Sequence, residues 1–181
     1  MSARSHADPK SGGRSVVPPA QRAMLGFGLR FALGWVVAII LLTRLPAIER
    51  VAIHATLAHL VALARLLGQQ ATSVGESMFM WGQSVQIVPD CTPLLPTATL
   101  WVAVLAFPAT WRWRAIGVAC GALILWATNL LRILARCPVL RFRPAWFPFI
   151  HIYLWQTVTM LVVLGVFVLW LRLQQPRGSR T

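Results

Sequence analysis

Acidic residues are scarce in this chain. Asp and Glu account for only four of its 181 residues, against 17 Lys and Arg, so the formal net charge is +13. Charged residues make up 12% of the chain, whereas hydrophobic residues make up 57% and the mean hydropathy is +0.68. Several apolar runs approach the roughly 20 residues that an α-helix needs to cross a bilayer. The composition therefore predicts an integral membrane protein.

The arginines form no dense polar stripe of the kind that binds nucleic acid. They flank the apolar runs instead, where they can contact anionic lipid headgroups and orient the spans. We therefore predict membrane lipid, and not nucleic acid, as a partner. A removable signal peptide is not expected, because the first apolar run is too long and lacks a small-residue cleavage pattern. That run is interpreted as a retained anchor.

Cysteine is also scarce, with three residues and no Cys-x-x-Cys pair. An odd number of widely spaced cysteines argues against a disulfide framework. Cys120 lies inside an apolar run and is expected to pack in the interior. Cys137 lies in an Arg-rich segment, predicted to be a loop, where it is either free or paired with Cys91. Cys91 itself stands where a polar loop meets a long apolar run, which makes it the most conspicuous of the three.

The apolar runs predict an all-α integral membrane protein with about four transmembrane helices, one interfacial helix and a small hairpin outside the membrane. Residues 1–22 are rich in Ser, Gly, Pro and basic residues and are predicted to be a disordered leader. The remainder, residues 23–181, is predicted to form a single membrane domain. Its predicted parts are spans at 24–45, 93–110, 115–134 and 149–172, an interfacial helix at 47–67 and a polar loop at 68–90.

The stretch 47–67 has two interpretations. It is apolar enough to touch a membrane, but each charge at the centre of a span would cost several kcal/mol, so we interpret it as interfacial. If this stretch crosses the membrane instead, every later segment of the chain lies on the opposite side. The number of arginines on each side barely favours one orientation over the other. Within the polar loop, residues 77–81 and 84–88 predict a hairpin that turns at Gly82 and Gln83.

Helix geometry predicts that three residues lie at one depth. The Trp-Arg-Trp-Arg sequence at 111–114 is typical of a membrane interface. Cys91 precedes it and Arg132 follows it by about 20 residues each, so both reach the opposite interface, about 30 Å away. The last span starts beside His151 and returns to the side of that Trp-Arg turn. Equal depth does not by itself establish lateral contact.

These residue types suit a thiol active site. A cysteine just before a helix N-terminus is favoured as a thiolate, although neighbouring Asp90 opposes this. His151, in the first turns of its helix, is expected to remain a neutral base. Asn129 and Arg132 share a helix face, and the arginine can hold a substrate carbonyl or stabilise an oxyanion. The alternative is that none of these residues is catalytic. Cys91 would then be a small residue tolerated at a helix start, Arg132 an arginine that snorkels to the headgroups, and His151 an interface residue.

The order of these residues resembles the exosortase/archaeosortase family of membrane thiol transpeptidases. The resemblance covers roughly residues 85–171. The chain departs from the family at Pro93, where a glycine is usual. The similarity rests on Asp90-Cys91-Thr92, on Asn129-Leu130-Leu131-Arg132-Ile133, and on His151 at the start of the final span.

The resemblance implies a site on the outer face of the cytoplasmic (inner) membrane that cleaves C-terminal sorting signals of secreted proteins. Such a signal has a short motif, an apolar helix and a basic tail. Cys91 would form a thioester with the substrate, His151 would act as general acid and base, and Arg132 would stabilise the intermediate. A lipid or glycan acceptor would resolve the thioester, and no metal or organic cofactor is implied. The residues expected to contact the substrate are Asn129, Asp90, Thr92 and Arg136.

Two other functions are compatible with the sequence. The first is a membrane thiol–disulfide oxidoreductase that uses Cys91 and Cys137 with a quinone, although it would lack the usual Cys-x-x-Cys pair. The second is a non-catalytic membrane subunit whose basic loops bind lipid or a partner protein. The first predicts a disulfide between the two cysteines, and the second predicts that Cys91→Ala retains full function.

Overall fold

The structure is a computed structural model that describes residues 19–142, 145 and 149–174. Within these residues the chain forms five α-helices and one small antiparallel sheet, which is the predicted all-α membrane class. Most of the predicted leader lies outside the described residues. Helix α1 begins at Pro19, earlier than predicted, and proline is well suited to the first turn of a helix.

The elements follow one another along the chain with short connections. Their bounds are α1 (Pro19–Arg44), α2 (Pro46–Leu66), β1 (Ala71–Val74), β2 (Ser77–Met80), β3 (Gln83–Gln86), a 3₁₀ turn (Pro89–Cys91), α3 (Leu94–Ala106), α4 (Trp111–Phe142), a π-helical segment (Phe149–Leu154) and α5 (Trp155–Gln174).

Helices α1 and α3 pack side by side in opposite directions. The rings of Phe27 and Phe107 are 6.1 Å apart, and further along Trp35 Nε1 donates a hydrogen bond to Thr99 Oγ1 across 3.3 Å. The start of α1 is therefore level with the end of α3. The end of α1, at Arg44, correspondingly reaches the level at which α3 begins.

Helices α4 and α5 are also antiparallel. The indole of Trp170 donates to the carbonyl of Trp113 across 2.7 Å and lies directly over Gly117. A β-carbon at Gly117 would lie 2.6 Å from Trp170 Nε1, so only glycine permits this approach. One turn later, a β-carbon at Gly121 would collide with the side chain of Leu100 of α3, whereas Val166 of α5 would lie at an ordinary contact distance of 3.8 Å. We call the end of the bundle that contains Trp113 and Trp170 the tryptophan end.

The other end of the bundle carries the sheet and is called the sheet end. Strand β2 lies between β1 and β3 and is antiparallel to both. The predicted hairpin is confirmed, but Met80 pairs with Gln83, so its turn residues are Trp81 and Gly82. Both have positive φ, 55° and 72°, as a type I′ turn requires. Strand β1 was not predicted, because its four residues carry little apolar alternation.

The inner face of the sheet packs on α2 and on the last turns of α4. Cys91 and Cys137 are part of this core and lie beneath the sheet. Its other members include Ile53, Leu57, Leu60, Met78, Met80, Val85, Ile87 and Ile133. A second core lies between α3, α4 and α5 around Leu100, Val104, Leu125 and Trp170.

Helix α2 lies at the sheet end along its whole length. By length and composition α1, α2, α4 and α5 could each cross a membrane, whereas α3 has only 13 residues. Yet α2 starts directly after Arg44, and Arg65 near its end donates to the carbonyl of Ala71 in the sheet. Midway, the ring of His59 contacts Trp126 of α4 at 5.8 Å. Helix α2 therefore packs on the sheet and on α4, and its interfacial position stays a prediction.

Helices α3 and α4 differ from the predicted spans at their C-terminal ends. Helix α3 stops at Ala106, because the residue before Pro108 is pushed into an extended conformation. Helix α4 continues past residue 134 to Phe142, with Pro138 inside it. The predicted Arg-rich loop is therefore partly wrong, because Arg136 and Cys137 are helical. Basic side chains at a helix C-terminus interact favourably with its dipole, which supports this extension.

Candidate active site

Cys91 is held in a tight turn just before α3. Its backbone N–H donates to the carbonyl of Val88 across 2.8 Å, closing the 3₁₀ turn that Pro89 starts. The residue is only 4% exposed because the sheet, α2 and α4 surround it. Helix α3 begins three residues later, at Leu94. The thiol therefore sits in a dry environment with a fixed main chain.

Asn129 fixes that main chain from α4. Its Nδ2 donates a hydrogen bond to the carbonyl of Cys91 across 2.8 Å, and both residues are buried. A buried carbonyl without a donor would cost about 1–3 kcal/mol. The contact shows that Cys91 and α4 meet laterally as well as at one depth. Asn129 reaches the cysteine through its main chain, so it positions the residue that carries the thiol.

Arg136 is the side chain that reaches the sulfur. Its Nη1 donates to Cys91 Sγ across 3.4 Å, and Arg136 is itself 8% exposed. A charged donor binds a thiolate more strongly than it binds a neutral thiol. The sequence had assigned Arg136 to substrate contact and the charge-stabilising role to Arg132. The structure instead places Arg136 beside the sulfur of Cys91.

Arg132 lies on the same stripe of α4, between Asn129 and Arg136. The three residues are spaced by three and four positions, so one face of the helix carries them all. Arg132 is close enough to Cys91, Asp90 and Arg136 to interact with each electrostatically. Its Nε is buried, and among the described residues no hydrogen-bond partner meets it. The helical spacing would have found Arg136 if α4 had been predicted to continue past residue 134.

Thr92 and Asp90 flank the cysteine differently. Thr92 is buried, and its hydroxyl donates to the carbonyl of Pro89 across 2.7 Å. It therefore closes the cysteine turn and does not cap α3, whose N-cap is Pro93. Asp90 is exposed, within electrostatic range of Arg132. Of the two, Asp90 is the more accessible to a bound molecule.

His151 belongs to the π-helical segment that leads into α5, and its side chain lies outside the described side chains. Its main chain can be placed by the register of the two helices. Trp170 lies over Gly117 and Val166 faces Gly121, so each turn back along α5 corresponds to a turn forward along α4. The N-terminal end of α5 therefore points toward the sheet end, and the π-helical segment that contains residue 151 precedes it.

The other two cysteines differ in environment. Cys137 is buried in the same core as Cys91, and both thiols are free. Cys120 is exposed on α4, so the prediction that it packs in the interior is wrong. An apolar run in a membrane helix has a lipid-facing side, which composition alone does not distinguish from the packed side.

No group of three or more His, Cys, Asp or Glu that could hold a metal ion occurs in the described part of the chain. Comparison with family models, with curated proteins and with solved structures finds no match to this chain. The chemistry of the site must therefore be argued from its own residues. They are a buried thiol, a guanidinium on its sulfur, a second guanidinium nearby and an amide that fixes the cysteine main chain.

Proposed function

We propose that this chain is a membrane cysteine transpeptidase of the exosortase type, which cleaves C-terminal sorting signals of secreted proteins. The contact between Arg136 Nη1 and Cys91 Sγ carries this proposal. A thiol kept only for packing has no need of a buried guanidinium, which is costly to desolvate. Asn129 adds a second polar contact from the same stripe of α4.

The reaction would proceed through a covalent intermediate. The Cys91 thiolate attacks the carbonyl carbon of the scissile peptide bond, and the C–N bond then breaks to leave a thioester. The released C-terminal fragment leaves as an amine, with a proton supplied by His151 as general acid. A hydroxyl or amine of a lipid or glycan acceptor, or water, then attacks the thioester and returns the thiol.

In this proposal Arg136 and Arg132 stabilise different negative charges. Arg136 donates to the sulfur and stabilises the thiolate before attack and after release. Arg132 has a buried Nε without a described partner and can donate to the oxyanion that develops on the substrate carbonyl. Asp90, exposed beside the site, is suited to contact with the substrate or with Arg132.

In this proposal the sheet end faces the outside of the cytoplasmic membrane. Helices α1, α3, α4 and α5 alternate in direction, so both ends of the described chain lie at the tryptophan end. Arg112, Arg114 and Arg172 also lie there, which fits the preference of arginine for the cytoplasmic side. The arginines at the sheet end do not follow that preference. In this proposal they lie on the outer side because they serve the thiol site.

The test is processing of a co-expressed, tagged substrate with a C-terminal sorting signal. Cys91→Ala and Cys91→Ser are expected to abolish processing while membrane levels stay unchanged. Cys120→Ala is the matched control, because Cys120 is exposed and distant from the site. Full processing by Cys91→Ala at normal membrane levels would refute the proposal and favour a non-catalytic subunit.

A thiol–disulfide oxidoreductase is the second candidate, since Cys91 and Cys137 share one buried core. It predicts a Cys91–Cys137 disulfide in peptides mapped from membranes that were alkylated before lysis. It also predicts that Cys137→Ser is inactive. The transpeptidase predicts free thiols and near-normal processing by Cys137→Ser, so a single variant separates the two functions.

A further inference from the structure

Two arginines from different helices meet at the C-terminal end of α3. Arg30 of α1 donates from Nη1 to the carbonyl of Ala106 across 3.4 Å. Arg114 of α4 donates from Nη2 to the carbonyl of Phe107 across 3.1 Å. The last carbonyls of a helix have no partner within the helix and carry a partial negative charge. Neighbouring residues at the end of α3 therefore each accept a hydrogen bond from an arginine of a different helix.

The charge of this pair is not balanced within the described residues. Two full positive charges exceed the roughly half negative charge of a helix C-terminus. The acidic residues that the structure describes all lie at the sheet end. They are Glu49 in the first turn of α2, Glu76 in the turn between β1 and β2, and Asp90 beside Cys91. Within the described residues, no carboxylate therefore accompanies the two arginines at the tryptophan end.

An apolar groove leads away from Arg30 between α1 and α3. Its volume is about 430 Å³, and among the described residues that line it only Arg30 is charged. Its walls include Val37 and Leu41 of α1 and Trp101 and Leu105 of α3. It follows α1 from Arg30 to Leu41, a length of about 16 Å at the rise of an α-helix.

The floor of the groove is formed where α1 and α3 touch at Gly34. A β-carbon there would lie 2.9 Å from Val102 Cγ1, so a larger residue would separate the helices. The groove is therefore shallow, apolar and cationic at one end only. That pattern matches an elongated amphiphile with one anionic end.

We propose that this groove binds one anionic phospholipid. Its phosphate lies between Arg30 and Arg114, and one acyl chain lies along the groove toward Leu41. Guanidinium groups bind phosphate oxygens in a bidentate geometry, which supplies the headgroup preference. The site is at the opposite end of the bundle from Cys91, so it holds whether or not the proposed activity is correct.

The test uses the full-length protein, purified in a mild detergent, and native mass spectrometry with phosphatidylglycerol or phosphatidylcholine added. The expected result is preferential binding of one phosphatidylglycerol molecule. Arg30→Gln and Arg114→Gln should each weaken that binding about fivefold, as one basic residue near a lipid surface does. Arg44→Gln is the matched control, because Arg44 ends the same helix at the opposite end of the bundle, and it should bind as the wild type does.

A second variant tests the groove without changing any charge. Ala38 lines the groove, so Ala38→Trp should fill it and displace phosphatidylglycerol while both arginines remain. Size-exclusion profiles and thermal unfolding in detergent check that each variant is folded. Equal binding of the two lipids, or undiminished binding by Arg30→Gln/Arg114→Gln or by Ala38→Trp, would overturn the proposal.

Discussion

Arg136 donates to the sulfur of Cys91 across 3.4 Å, although the two residues are 45 positions apart in the chain. The same face of α4 carries Asn129, whose amide holds the carbonyl of Cys91. One helix therefore fixes both the main chain and the side chain of the cysteine. Both contacts are buried, so each polar group depends on the other for its hydrogen bond.

Loss of the Arg136 guanidinium should make Cys91 less reactive. We expect Arg136→Ala to slow alkylation of Cys91 by about tenfold, because a hydrogen bond to a charged group contributes about 1.5–3 kcal/mol. The measurement is the rate of iodoacetamide labelling in purified protein, followed at each cysteine by mass spectrometry. Exposed Cys120 serves as the internal reference. An unchanged or faster rate at Cys91 would show that Arg136 does not activate the thiol.

Removal of the Asn129 amide should destabilise the whole sheet end. Asn129→Ala leaves the buried carbonyl of Cys91 without its donor, and we expect a loss of about 1–3 kcal/mol in unfolding free energy. Thr128→Ala is the matched control, since Thr128 is half-buried and its hydroxyl donates to the carbonyl of Ile124 within the same helix. Thermal or denaturant unfolding in detergent provides the comparison. Equal stability of the two variants would contradict the assigned role.

The sheet should control access to Cys91. Gly82 has a φ of 72°, so Gly82→Val strains the turn of the β2–β3 hairpin by about 1–3 kcal/mol. We expect this variant to label faster at Cys91 with N-ethylmaleimide, while labelling at Cys120 stays constant. Gly28→Val is the control, because Gly28 lies in α1 with open space beside it. If Cys91 labels equally fast in the wild type and in Gly82→Val, the sheet is not its cover.

His151→Ala tests the proposed acid–base role of His151. If His151 supplies and removes the proton, its loss should lower substrate processing by about 10²–10⁴-fold, the usual contribution of a general acid or base. Membrane levels should stay normal, and alkylation of Cys91 should change far less than processing. Processing within a few-fold of wild type would exclude His151 from the reaction.

Much of the site could be predicted because helix geometry is regular. Cys91 and the Asn129–Arg132 segment lie equally far along the chain from the Trp-Arg turn, and a constant rise per residue converts that spacing into depth. The hairpin could be predicted from the alternation around Gly82. Strand β1 could not be predicted, because it forms by pairing with β2 and its own residues carry no strand pattern. The extension of α4 was missed because Pro138 and the arginines are typical of a loop.

The sequence by itself determined that this protein is built from apolar helices suited to a membrane, and it predicted that Cys91 and Arg132 lie at the same end of those helices. Those properties depend on composition and on the rise of a helix, which are local. Only the tertiary structure decided that Arg136 reaches the sulfur, that Asn129 holds the main chain and that a sheet covers both. Those contacts depend on how α4 is rotated about its axis and which elements pack against it. Rotation and packing arise from contacts between residues far apart in the chain, and spacing along the chain does not fix them.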